Sequence, residues 1–342
     1  MNTRYRPPLQ HIALVRIALG ILHTFNLQAI KNDFLTSKGD VSEEYSSKII
    51  SKITFLNDKE KEKKISGIIR ALVWELLTWK FSHDEIVYDT EIDFSDICWY
   101  SHGVIDRFKT ARILVRKESI EINRRFVLAC KYYFKDHART LWNNLSVFDK
   151  MVLGQDYGSV KSMWFWIDES QIDEITYFIQ MYREHSTKIE ELTENYLGLR
   201  CYFTKLGPED RYRCLSYGLL EGEIHHFDLY LCFAELTIDE AKDLFRRLSA
   251  SRRLRVMELF LYWPLQFIFV EVLDQLWSLT SHYNFRNIVR FILEERIDKN
   301  WEDIDYAQLV ENIWARCPVP YKKRLEKDKI YAKVELLLTK KC

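Results

Sequence analysis

The sequence predicts an all-α protein, an array of antiparallel helix pairs with little or no sheet. Three observations lead there. Apolar side chains recur every three or four positions along most of the chain, the spacing of one face of a helix. Glycine and proline are scarce, 10 and 6 of 342 residues, or about 3% and 2% where folded proteins average about 7% and 5%. Hairpin turns lean on glycine, so a sandwich or barrel is disfavoured. The balance of 47% apolar to 29% charged residues is that of a globular chain. Its 20 Phe, 19 Tyr and 10 Trp can fill a sizeable core.

The first helix is expected within 9–30, with Ile12, Val15, Leu19 and Leu22 as its stripe and Pro7 and Pro8 at its entry. Arg16 interrupts the apolar run and no small-residue cleavage site follows, so this reads as a core helix rather than a signal peptide. A polar break around Gly39 precedes a weaker helix over 41–55. The mixed charges of 57–64 read as a solvated turn or helix end. A strong helix is expected over 65–81, with Ile68, Ile69, Leu72, Leu76 and Trp79 on one side. The acidic stretch 82–95 alternates at Ile86-Val-Tyr-Asp and Ile92-Asp-Phe, a pattern open to a short strand. The preferred reading is a loop pinning Ile86 and Phe94. The expected division is therefore a helical subdomain 1–82, a connector 83–100 and a helical-repeat-like domain 101–342.

Further helices are expected to start near His102, Ile120, Asp136, Ser170, Glu209, Asp239, Arg252, Val270, Asn284, Asp303 and Tyr321, the last running to about Lys340. Thr237-Ile-Asp-Glu240 has the form of a capping box, in which the Thr hydroxyl takes an amide of the first turn and Glu240 reaches back. Residues 259–270 are apolar, but too few to span a bilayer, and Pro264 is expected to kink a buried helix there. Ala138-Arg-Thr-Leu-Trp-Asn-Asn-Leu-Ser146 aligns with Ala241-Lys-Asp-Leu-Phe-Arg-Arg-Leu-Ser249, and each follows a Cys-containing apolar helix. Both read as helix, tight turn, helix, repeated at uneven spacing.

The stretch Arg125-Phe-Val-Leu-Ala-Cys-Lys-Tyr-Tyr-Phe-Lys-Asp-His-Ala-Arg-Thr-Leu-Trp142 resembles a degenerate ankyrin helix pair, with Tyr133 in place of the turn glycine. With the run 101–111 and the opening Pro8-Leu-Gln-His-Ile-Ala-Leu-Val-Arg-Ile-Ala-Leu-Gly20, it is similar to a set of arachnid proteins across most of the chain. No activity is established for that family. The resemblance implies an ankyrin-like, α-solenoid-like array and carries over no catalytic residue.

Chemistry-bearing motifs are few. Gly-x-Ser-x-Gly, His-Glu-x-x-His, a P-loop and Gly-x-Gly-x-x-Gly are all missing. No catalytic, cofactor-binding or metal-ligating residue is assigned, and no cofactor is expected. Cys98 and His102 would share a helix face, yet no second ligand pair lies nearby to complete a zinc site. His225 and His226 are adjacent and point too far apart to hold one ion. The seven cysteines are widely spaced with no Cys-x-x-Cys, which points to buried thiols in a reducing, intracellular and cytoplasmic setting. Net charge is zero, so neither nucleic acid nor an anionic membrane is an indicated partner.

The leading expectation is a non-enzymatic protein–protein interaction module with an unidentified protein partner. The Trp-rich stretch Met163-Trp-Phe-Trp-Ile167 reads first as core; the speculative surface takes in Trp164 and Trp166 because Trp is enriched at binding hot spots. It also takes in Arg246, Arg247, Arg252 and Arg253. Those arginines, with Arg255 and the basic tail from Arg316 to Lys341, supply the alternative of nucleic-acid binding. An enzyme with an unrecognised site is the third reading.

Overall fold

The computed structural model describes residues 5–27, 30, 34–36, 41–54, 57–87, 92–156, 199–204, 206–221 and 224–339. Among them there is no strand, and sheet-like pairing is confined to two isolated bridges, Leu35 with Val41 and Trp99 with Ile105. The helices are α1 Leu9–Leu22, α2 Glu43–Ile53, α3 Lys59–Phe81, α4 Arg107–Arg116, α5 Ile122–Lys131, α6 Lys135–Asn144 and α7 Val147–Asp156. After these come α8 Leu199–Phe203, α9 Pro208–Glu221, α10 His226–Ala234, α11 Ile238–Arg247, α12 Ala250–Leu259, α13 Phe269–Leu276, α14 His282–Phe291, α15 Tyr306–Arg316, α16 Val319–Leu325 and α17 Tyr331–Thr339.

Backbone proximity groups the chain into two compact units: Met1–Glu75, Ser101–Val104 and Leu236–Cys342 form unit 1, and Leu76–Tyr100 with Ile105–Glu235 form unit 2. This grouping cuts the chain after Glu75, Tyr100, Val104 and Glu235, so one cut falls at the expected boundary at 100, and the whole of the expected connector 83–100 lies in unit 2. The helix expected near His102 begins instead at Arg107. Gly103 holds φ +81°, a left-handed conformation glycine adopts without cost. Asp106 then caps α4, its carboxylate accepting from the Lys109 amide at 3.0 Å.

In unit 1, α1 buries His11, Val15, Ala18, Ile21 and Leu22, a stripe shifted from the expected one because His11 packs as a core residue. Tyr45, Ile49 and Ile53 of α2 are buried, as are Ile65, Ile68, Ile69 and Leu72 of α3. The charged run before α3 starts that helix: Asp58 accepts from the amides of Glu60 and Lys61, both at 3.1 Å. The capping box at Thr237 is present, with Thr237 Oγ1 accepting from the Glu240 amide at 3.2 Å and Glu240 Oε2 from the Thr237 amide at 2.8 Å. Thr237→Ala is expected to cost about 1 kcal/mol, measured as a shift in the urea midpoint at unchanged m-value.

The expected kink at Pro264 is a full break. Helix α12 ends at Leu259, a turn carries the cis Trp263–Pro264 peptide, and a 3-10 turn, Leu265–Ile268, leads into α13. Helix α14 runs on into a π-helical turn, Ile292–Ile297. The single helix expected over 321–340 is two, α16 and α17, parted at 326–330, where the Asp328 carboxylate accepts from the Ile330 amide at 3.1 Å. Val334 anchors α17.

In unit 2, α5 packs against α4 and α6, giving the expected helix, tight turn, helix. Tyr133 takes φ +55° in that turn, a left-handed conformation that favours glycine. Leu76 and Trp79 at the end of α3 are buried, and so is Ile86 on the single turn Asp84–Val87. The helix expected near Ser170 lies outside the described residues.

Candidate interaction surface

The basic cluster is only partly available to a partner. Arg253 is spent within the fold: its Nε donates to the Leu248 carbonyl at 2.9 Å, Nη1 to Leu279 at 3.3 Å and Nη2 to Arg246 at 3.4 Å. It thereby caps the C-terminal carbonyls of α11. Arg247 pairs with Asp243 at 3.6 Å along the same helix. Arg246 and Arg255 stay exposed and Arg252 half-buried. In the basic tail, Arg316 pairs with Asp274 and Lys333 with Asp298, each at 2.5 Å, and the Lys322 ammonium sits 5.5 Å from the Trp314 ring. Trp164, Trp166, Lys340 and Lys341 lie outside the described residues.

Among the described residues, α7 carries three large exposed apolar side chains on one face. Ser146 caps this helix, its hydroxyl accepting from the Asp149 amide at 3.0 Å, and Leu153 is buried. Val147, Phe148 and Met151 lie on a different side and are 85%, 68% and 55% exposed. Positions 148 and 151, and 147 and 151, are helical neighbours, so the three form one patch. Sequence reading passed over it. The signal was Ser146-Val-Phe-Asp149, a cap followed at once by two large apolar residues with no place on the Leu153 side.

Several ionisable groups of the interior are held by contacts within the fold. In unit 1, the buried Arg296 donates from Nη2 to the Leu261 carbonyl at 3.1 Å. Its guanidinium lies 4.9 Å from the Tyr262 ring, 5.2 Å from Phe291 and 5.0 Å from Trp301. Arg70 covers Trp301 at 4.3 Å and donates to the carbonyls of Lys299 and Asn300 at 3.1 and 2.9 Å. In unit 2, His83 lies 2.6 Å from the Trp79 carbonyl through Nδ1 and 2.6 Å from the Tyr132 hydroxyl through Nε2. A carbonyl can only accept, so Nδ1 carries the proton and Nε2 takes the Tyr132 O–H. Asp228 lies 3.7 Å from Arg107 and 3.9 Å from Arg200. His225 caps α10, Nδ1 accepting from the Phe227 amide at 3.3 Å, so the His225–His226 pair stands at a helix start.

Burial pushes the thiols of Cys130 and Cys232 well up, and that of Cys317 up to about 12. Such thiols are poor nucleophiles and poor metal ligands. Among the described residues, no group of three or more His, Cys, Asp or Glu could hold a metal ion, and no helix is long and apolar enough to cross a membrane. Compared with known proteins, the chain matches no family model, no curated protein and no solved structure.

Proposed function

We propose that this chain is a non-enzymatic protein–protein interaction module that contacts its partner through the exposed face of α7. The observation that carries the reading is the patch of Val147, Phe148 and Met151. Leaving three large apolar side chains together in water forgoes about 1.5–3 kcal/mol for each that burial would recover, and contiguous apolar exposure marks contact sites. Helix α7 follows the helix pair α5–α6 directly in the chain, and stacked helix pairs give a docking surface rigid support. A cytoplasmic setting fits the buried thiols of Cys130, Cys232 and Cys317.

The test is a pull-down from matched lysate with the natural chain and with the triple variant Val147→Asp, Phe148→Asp, Met151→Asp. The variant is expected to keep its circular dichroism and Tm, because all three positions are exposed, and to lose the proteins that the natural chain enriches. Equal enrichment by both would overturn the reading.

A further inference from the structure

The Gln266–Asp303–Tyr306 cluster in unit 1 joins the 3-10 turn Leu265–Ile268, the loop before α15, and α15 itself. All three residues are buried. Gln266 Nε2 donates to Asp303 Oδ2 at 2.8 Å and to the Tyr306 hydroxyl at 3.1 Å, and that hydroxyl donates to Asp303 Oδ2 at 3.2 Å. Every donor hydrogen of the Gln266 amide and of the Tyr306 hydroxyl is thereby used. Two side-chain atoms are left over, Gln266 Oε1 and Asp303 Oδ1, both buried and neither bonded to another side chain, with only the amides of Asp303 and Ile304 adjoining the carboxyl. With Asp303 ionised, both atoms are acceptors in one buried cluster. Each would then bear the desolvation cost of an unmade hydrogen bond, about 1–3 kcal/mol. Arg296 donates from Nη2 to the Leu261 carbonyl, and neither acceptor takes a bond from it.

We propose that Asp303 is a neutral carboxylic acid in the folded protein and donates a proton from Oδ1 to Gln266 Oε1. This closes an acid–amide pair that opens when the proton is lost. The carboxyl then gives one O–H and accepts two bonds, and the amide gives two and accepts one, which satisfies both groups. The groups facing the carboxyl are Gln266 from the 3-10 turn, Tyr306 from α15, Arg296 from the π-helical turn, and the adjoining amides of Asp303 and Ile304. From α3 comes the uncharged Gly67. Burial raises the Asp303 value and outweighs Arg296, the Tyr306 hydroxyl and the two amides, all of which lower it. A raised folded value means stability that is full below the ordinary carboxylate range. It is lost as pH rises through the folded value. The cluster is thus a clasp that alkali loosens.

Asp303→Asn tests this, because the amide N–H can stand where the acid O–H stood. The variant is expected to fold with a Tm within about 2 °C of the natural chain at pH 6, and to gain on it as pH rises. Infrared difference spectra between the two at pH 6 are expected to show the carbonyl stretch of a protonated carboxyl in the natural chain alone. An Asp303→Asn chain that fails to fold or melts far lower at every pH would overturn the proposal, since it would mean that the charge is needed. Loss of the infrared band from the natural chain would overturn it equally.

Discussion

Gly67→Ala is expected to destabilise unit 1 by about 2 kcal/mol, the upper range of an overpacking cost less the propensity gain, although alanine is the better helix former. Propensity alone favours the change by about 1 kcal/mol. The site does not permit it. A Cβ on Gly67 would stand 2.3 Å from the Glu302 carbonyl carbon, 2.4 Å from its oxygen and 2.7 Å from the Asp303 amide nitrogen. All three are backbone atoms, which cannot rotate away as a side chain would. The loop they belong to is tied down by Arg70 at Lys299 and Asn300 and by the Asp303 cluster. Overpacking into a held backbone costs about 1–3 kcal/mol and sometimes more, so the clash outweighs the propensity gain. Urea unfolding of the variant beside the natural chain measures it; a variant as stable as its parent would show that α3 does not approach the loop this closely.

Acid is expected to destabilise both units from about pH 6.5 downward. In unit 1, His11 packs 4.9 Å from Trp263 and 4.6 Å from Phe267, and burial lowers it to about 4. His102 is lowered to about 4 by burial and by the neighbouring His11. In unit 2, burial lowers His83 to about 3, assisted by Arg107 and Lys131. His225 falls well below its ordinary value through burial and Arg107. These folded values all lie below the unfolded value near 6.5. The unfolded chain therefore binds more protons in acid, and stability present above pH 6.5 is lost as pH falls toward the folded values. Each such histidine contributes a slope of about 1.4 kcal/mol per pH unit, so each unit loses about 3 kcal/mol per unit. Over two units that approaches the 5–15 kcal/mol stability of a typical domain. Thermal melts between pH 7.5 and 4 measure the slope. His11→Phe keeps a ring against Trp263 and Phe267 and is expected to halve the slope for unit 1; melting temperatures independent of pH across that window would refute the assignment.

Local features were the ones that could be read from the sequence. The face of α3 through Ile68, Ile69, Leu72, Leu76 and Trp79 is buried as its periodicity requires. The cap at Thr237 forms because all its atoms lie within four residues. Most later helix starts fall within two residues of those expected, since caps and charges mark them locally. What was missed depends on distance in the chain. The break at 326–330 rests on Asp328, which Arg286 holds from α14. Arg253 reads as a free cation until its bond to Leu279, 26 residues on, is seen. His11 counts as polar in any periodicity, yet it fills a space between aromatic rings. The expected surface at Arg246, Arg247, Arg252 and Arg253 is thus reduced by interactions within the fold. The α7 patch stood out only once its buried side was known.

The chain hides its apolar stripes by packing helix on helix. Far-ultraviolet circular dichroism tests that most directly. The account expects the paired minima of a predominantly helical protein, lost cooperatively on heating; a spectrum dominated by the single minimum of β-sheet would contradict it.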